Sequence, residues 1–114
     1  MPTVIPRIVA KDSERLVQFI RRVFDARGEF GGERPSEMLI GDSLIMISEA
    51  GERAPMPAFL YVYVDDVEAT HKRAVAEGVT VVEEPTDTPY GHRRSMVEDA
   101  WGNVWQIARP LTSP

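Results

Sequence analysis

The 114-residue chain contains no cysteine. Disulfides, thiolate metal sites and cysteine nucleophiles are therefore excluded, and the absence fits a reducing compartment such as the cytoplasm. Long apolar runs are also missing. Nothing reaches the length of a membrane span, and "MPTVIPRIVAKDSERL" has no uninterrupted apolar stretch of signal-peptide length. Histidine is scarce, with two residues, His71 and His92. Positive charge is not in excess: 13 Lys and Arg stand against 18 Asp and Glu, a net charge of −5. A general nucleic-acid binder needs the opposite balance, so neither nucleic acid nor membrane is expected as a partner.

What remains is an ordinary globular composition, 43% hydrophobic and 27% charged, in a length that suits one domain. Residues 3–10, "TVIPRIVA", read as a strand interrupted by Pro6. Asp12 is placed as an N-cap, and "SERLVQFIRRVF" follows with Leu16, Val17, Phe19, Ile20, Val23 and Phe24 at helical spacing. One short strand is expected near Glu29. "EMLIG" and "SLIMIS" are two strands about a Gly41-Asp42 turn, and residues 51–57 read as a connector.

The pattern then restarts. "FLYVYV" is a strand, Asp65-Asp66 cap the helix "VEATHKRAVAEG", and Gly78 closes it. "VTVVEE" is a strand, "PTDTPYGHR" a loop, and "RSMVED" and "NVWQIAR" the last strands. Ile5 and Asp12 stand seven apart, as do Phe59 and Asp66, which marks an internal duplication. The expected fold is α+β. Two sheet-and-helix modules, about 1–50 and 58–110, carry helices on one side of a mixed, mostly antiparallel sheet.

Four segments, Val64-Asp65-Asp66-Val67, Ala76-Glu77-Gly78, Tyr90-Gly91-His92-Arg93 and Asp99-Ala100-Trp101-Gly102-Asn103, resemble the second module of the vicinal oxygen chelate superfamily. That superfamily includes glyoxalase I, bleomycin-resistance proteins, fosfomycin-resistance enzymes and extradiol dioxygenases. The resemblance implies two βαβββ modules that form a curled mixed β-sheet around a cleft, with the helices on the outer side, and a homodimer. It also implies where a divalent metal would be held: on the first and last strands of each module, at Ile5 and near Met46, and at Phe59 and Gln106. Ile, Met and Phe supply no hard oxygen or imidazole donor, and one amide is too weak to repay dehydration of the ion. No metal and no other cofactor is therefore expected.

Strand alternation turns Phe59, Tyr61 and Tyr63 to one face, with Val104, Gln106 and Ala108 from the last strand. It does the same for Ile5, Arg7 and Val9 with Leu44, Met46 and Ser48. Arg94, Met96 and Glu98 are one face of the strand before the last. The candidate ligand-binding residues are Arg7, Met46, Ser48, Phe59, Tyr61, Tyr63, Met96 and Gln106, with Tyr90, His92 and Arg93 in a loop at the cleft mouth. Apolar and aromatic walls with a few polar groups suit a small molecule. His71 is expected to pack beneath its helix. Arg93 is expected to tie its loop to Glu98 or Asp99, and a metal site of His92 with Glu98 or Asp99 is a further alternative.

The functional expectation is a metal-free protein of the glyoxalase and bleomycin-resistance type that binds a hydrophobic or antibiotic-like molecule. Two alternatives stand beside it. One is a metal-dependent lyase, isomerase or dioxygenase. The other is a dimeric structural or interaction module with a filled cleft.

Overall fold

The computed structural model describes residues 2–112. The chain forms two compact units that divide between Pro57 and Ala58.

In the first unit, β1 (Arg7–Ala10), α1 (Ser13–Phe24), β2 (Ser36–Ile40) and β3 (Ser43–Glu49) follow in order. The sheet order is β1-β3-β2, with β1 parallel and β2 antiparallel to β3. Helix α1 buries Leu16, Val17, Phe19, Ile20, Val23 and Phe24, the stripe that its helical spacing specifies. That stripe packs with Ile8, Met38, Ile45 and Ile47, all buried in the core. Each such side chain contributes about 1.5–3 kcal/mol of burial as an upper estimate.

Two expectations are corrected here. Strand β1 begins at Arg7 rather than at Thr3. Pro6 has no N–H for a ladder, and only its carbonyl pairs, accepting from Met46 N at 2.9 Å. Ile5 therefore lies outside the strand. The short strand near Glu29 is reduced to a single bridge between Arg27 and Leu39. This first unit is βαββ plus that bridge.

Helix α1 is also capped differently from expectation. Asp12 takes a left-handed backbone, φ 60°, and its side chain makes no capping bond. Glu49, at the end of β3, does the work from 36 residues away. Its carboxylate accepts from Asp12 N (2.9 Å), Ser13 N (2.9 Å) and Ser13 Oγ (2.8 Å). The Ser13 backbone bond is the main cause that holds the Glu49 pKa below its ordinary value, followed by the Ser13 hydroxyl and the Asp12 N–H. A depressed carboxylate stabilises the fold above its unfolded pKa and loses that contribution as pH falls through the folded value. Glu49→Gln is expected to cost about 1 kcal/mol at neutral pH. The deficit should shrink as the pH drops through the carboxylate range. Thermal melts of both proteins against pH check this, and a deficit independent of pH would refute the capping role.

In the second unit, β4 (Phe59–Tyr63), α2 (Val67–Ala76), β5 (Thr80–Asp87), β6 (His92–Glu98) and β7 (Val104–Pro110) give the full βαβββ order. The sheet order is β4-β7-β6-β5, with β4 parallel to β7 and the other pairs antiparallel. The topology of the first unit is thus repeated with one more strand. The pair Tyr61–Gln106 corresponds to Arg7–Met46. Asp66 caps α2 as expected, its Oδ1 accepting from Ala69 N at 3.0 Å. Helix α2 lays Val67, Thr70, His71 and Ala74 against the sheet. The fold is α+β, with two mixed sheets that each keep free edges.

The loop expected over 85–93 is shorter. Strand β5 continues to Asp87, with register irregularities between Val81 and Glu83 and between Glu83 and Thr86. Pro85 falls in the second irregularity of this edge strand, where a missing N–H is tolerated. His92 and Arg93 belong to β6.

Candidate functional site

The sheet of the second unit has one face under α2 and one turned away from it. Ser95 and Arg93 mark the helix side: Ser95 Oγ lies 3.0 Å from His71 Nδ1, and Arg93 Nε donates to Glu68 Oε1 at 2.7 Å. His71 is buried with its other nitrogen 3.3 Å from Glu84, the packing role expected of it. Arg93 corrects two expectations. It faces the helix, not a cleft mouth, and its partners are Glu68 and Asp87 (3.1 Å) rather than Glu98 or Asp99. Alternation within β6 sends His92 and Arg93 to opposite sides.

The other face carries Phe59, Tyr61 and Tyr63 from β4, Gln106 and Ala108 from β7, and His92, Arg94 and Met96 from β6. Gln106 lies between its cross-strand partners Tyr61 and Met96. The aromatic side chains form one cluster. The Tyr61 hydroxyl and His92 Nδ1 share a hydrogen bond of 2.6 Å. The Tyr63, Tyr61 and Tyr90 rings lie 5.4–5.7 Å from each other or from His92. Phe59, Tyr63 and Tyr90 remain exposed, at 68%, 62% and 60%. Partial burial pushes the Tyr61 hydroxyl pKa up, with the neighbouring Tyr90 adding to it. The hydroxyl therefore stays protonated at neutral pH.

Arg94 grips Glu83 through two hydrogen bonds, 2.9 and 3.2 Å, and its Nη1 donates to the Tyr90 hydroxyl. Glu83 is a site neighbour that sequence reasoning missed, because the irregularity of β5 shifts its register. Gln106 is half-buried.

Asp99, considered above as a metal or Arg93 partner, is occupied elsewhere. Its Oδ1 accepts from Trp101 N and Asn103 N, each at 2.9 Å, and its Oδ2 from Asn103 Nδ2 at 2.9 Å and Trp105 Nε1 at 2.8 Å. It builds the turn into β7 and leaves no lone pair for a cation.

In the first unit, Arg7, Val9, Met46 and Ser48 share the sheet face turned away from α1. Arg7 Nη2 donates to Met46 Sδ at 3.1 Å. The connector, expected to be a plain linker, docks here: Met56 and Val9 exchange backbone hydrogen bonds of 2.9 and 3.3 Å. This covers part of the β1 edge and walls a pocket of about 410 Å³.

The fold implies a metal on the first and last strands of each module, and the donors can be tested position by position. Ile5 and Phe59 offer hydrocarbon, Met46 a thioether already taken by Arg7, and Gln106 one amide. Among the described residues no three His, Asp, Glu or Cys side chains cluster. This donor set does not fit a divalent ion.

A sequence model of the Glyoxalase/Bleomycin resistance protein/Dioxygenase superfamily matches residues 4–107. The chain belongs to that superfamily. Protein Rv0887c of Mycobacterium tuberculosis (strain ATCC 25618 / H37Rv) is 26% identical over 128 aligned positions, covering 96% of this chain and 75% of that one. Among solved structures, TioX from Micromonospora sp. ML1 is similar with a TM-score of 0.82 and 24% identity, covering 97% of this chain and 100% of that one. The fosfomycin resistance protein FosX from Mesorhizobium loti has a TM-score of 0.72 and 20% identity, covering 94% and 90%. At these identities the structural likenesses speak for the fold alone. Among the described residues no helix is long and apolar enough to cross a membrane.

Proposed function

We propose that this chain is a metal-free, small-molecule-binding member of the superfamily that takes an aromatic or hydrophobic ligand on the open face of the second sheet. The observation that carries this reading is Gln106. Its half-buried amide stands between Tyr61 and Met96 and needs a hydrogen-bond partner. A ligand polar group can supply that partner while rings pack against Tyr61, Tyr63 and Tyr90. Exposed aromatic patches of this kind mark binding surfaces. The misfit of the metal donors supports binding over metal-dependent lyase, isomerase or dioxygenase chemistry. The exposure of Phe59, Tyr63 and Tyr90 supports an open face over a filled one. A homodimer is part of the proposal, since pairing would cover some of this apolar surface.

The test uses indole, whose N–H can donate to the Gln106 amide oxygen. Amide-resolved NMR titration of the intact chain is expected to show saturable shifts at Tyr61, Met96 and Gln106. Gln106→Leu is expected to weaken binding about fivefold, the worth of one hydrogen bond. Elemental mass spectrometry of protein purified without chelator is expected to find less than stoichiometric metal, and sedimentation to find twice the chain mass. Near-stoichiometric nickel, zinc, iron or manganese would overturn the metal-free reading.

A further inference from the structure

The pocket of the first unit has chemistry of its own. We propose that it binds a small organic monocarboxylate, with the head on Arg7 and Ser48 and the apolar body against Val9 and Met56. The inference rests on the reading of this chain as a small-molecule binder and adds a ligand class for its first unit.

Three observations carry it. The first is Ser48 Oγ. Among the described residues it is a buried side-chain oxygen with no hydrogen-bond partner, and it belongs to the pocket lining. An unsatisfied buried hydroxyl is destabilising, and a bound acceptor removes that cost. The second is unspent positive charge. Arg7 and Arg53 both line the pocket, and neither makes an ion pair among the described residues. The one side-chain bond of Arg7 goes to the Met46 thioether, a weak acceptor, which fixes the guanidinium over the sheet and leaves its remaining donors free. A planar fork of this kind matches a carboxylate.

The third is the rest of the wall. Val9 and Met56 supply an apolar side, held in place by their paired backbone bonds. The pocket is of a size that holds small organic molecules. Two carboxylates also line it, Glu49 and Glu52. Both oxygens of Glu49 are turned to donors at the N-terminus of α1 and away from a ligand. The two carboxylates repel a second negative charge, so a monoanion is favoured over a phosphate-like dianion.

The experiment titrates benzoate, benzamide and phenylphosphonate into the intact chain, followed residue by residue by NMR. Benzoate is expected to shift residues 7–9, 46–49 and 52–56 saturably. Benzamide and phenylphosphonate are each expected to bind about tenfold more weakly. Arg7→Gln, an exposed residue whose loss spares the core, is expected to weaken benzoate about tenfold, and Arg7→Lys to recover only part of that. Ser48→Ala is expected to weaken it severalfold. Equal binding of benzamide, or benzoate binding unaffected by Arg7→Gln, overturns the proposal. Tighter binding of phenylphosphonate overturns the monoanion assignment. If indole shifts the Gln106 face while benzoate shifts nothing, the proposal fails and the function proposed above stands. If neither probe binds, both fail.

Discussion

Replacing Asp99 with alanine is expected to destabilise the protein by about 3–5 kcal/mol. The residue is 5% exposed, and its carboxylate accepts four hydrogen bonds within the six residues that follow it. Two of those donors, the Trp105 indole and the Asn103 amide, belong to side chains with no exposed surface. Removing their acceptor takes the Asp99 hydrogen bond from both inside the core, the costly half of the hydrogen-bond asymmetry. The damage spreads, because Asn103 Oδ1 in turn accepts from Ala58 N at 2.8 Å and ties the turn to the start of β4. Urea denaturation of wild type, Asp99→Ala and Trp105→Phe measures the effect. In the Asp99→Ala background, Trp105→Phe should cost less than it does alone, since the indole N–H has already lost its bond to the Asp99 carboxylate. A loss below about 1 kcal/mol for Asp99→Ala would show that water replaces the carboxylate and that the turn does not depend on it.

Gly28→Ala is expected to cost about 2–4 kcal/mol. Gly28 has φ 132°, a backbone region open to glycine and strained for any L side chain. The added Cβ would also lie 2.5 Å from the Glu37 carbonyl oxygen and 2.9 Å from Met38 Sδ. The carbonyl belongs to β2 and Met38 is fully buried, so neither can yield cheaply. Gly32→Ala is the control. That residue has φ 69° and open space where its Cβ would stand, so only the backbone term, about 1 kcal/mol, applies. Equal losses in the two variants would show that the close approach is not what matters. The chain comes against β2 at a glycine and pairs only through Arg27 and Leu39, where the second unit places the eight residues of β5.

Much of this was legible in the chain itself, for local reasons. The stripe of α1 and the faces of β4 and β7 follow from periods of 3.6 and 2.0, which every residue shares with its neighbours. Trp105 and Ile107 turn inward and Gln106 outward by alternation alone. The Asp66 cap is legible because its partner is three residues away. The family resemblance rests on segments that are local in the same sense.

The partners were not legible, because they depend on which distant residues the fold brings together. Glu49 displaces Asp12 as the cap of α1 across a separation of 36 residues. Arg93 passes over its neighbours Glu98 and Asp99 for Glu68, 25 residues away, because alternation puts it on the helix side. Glu83 meets Arg94 through irregularities in β5 that no hydrophobic pattern announces. The connector joins the site only because Val9, in the edge strand β1, has backbone groups free to pair with Met56. Sequence periodicity determines which way a side chain points within its element. Which charge, hydroxyl or ring it meets there was decided by tertiary packing, because hydrogen-bond partners are chosen by distance in space.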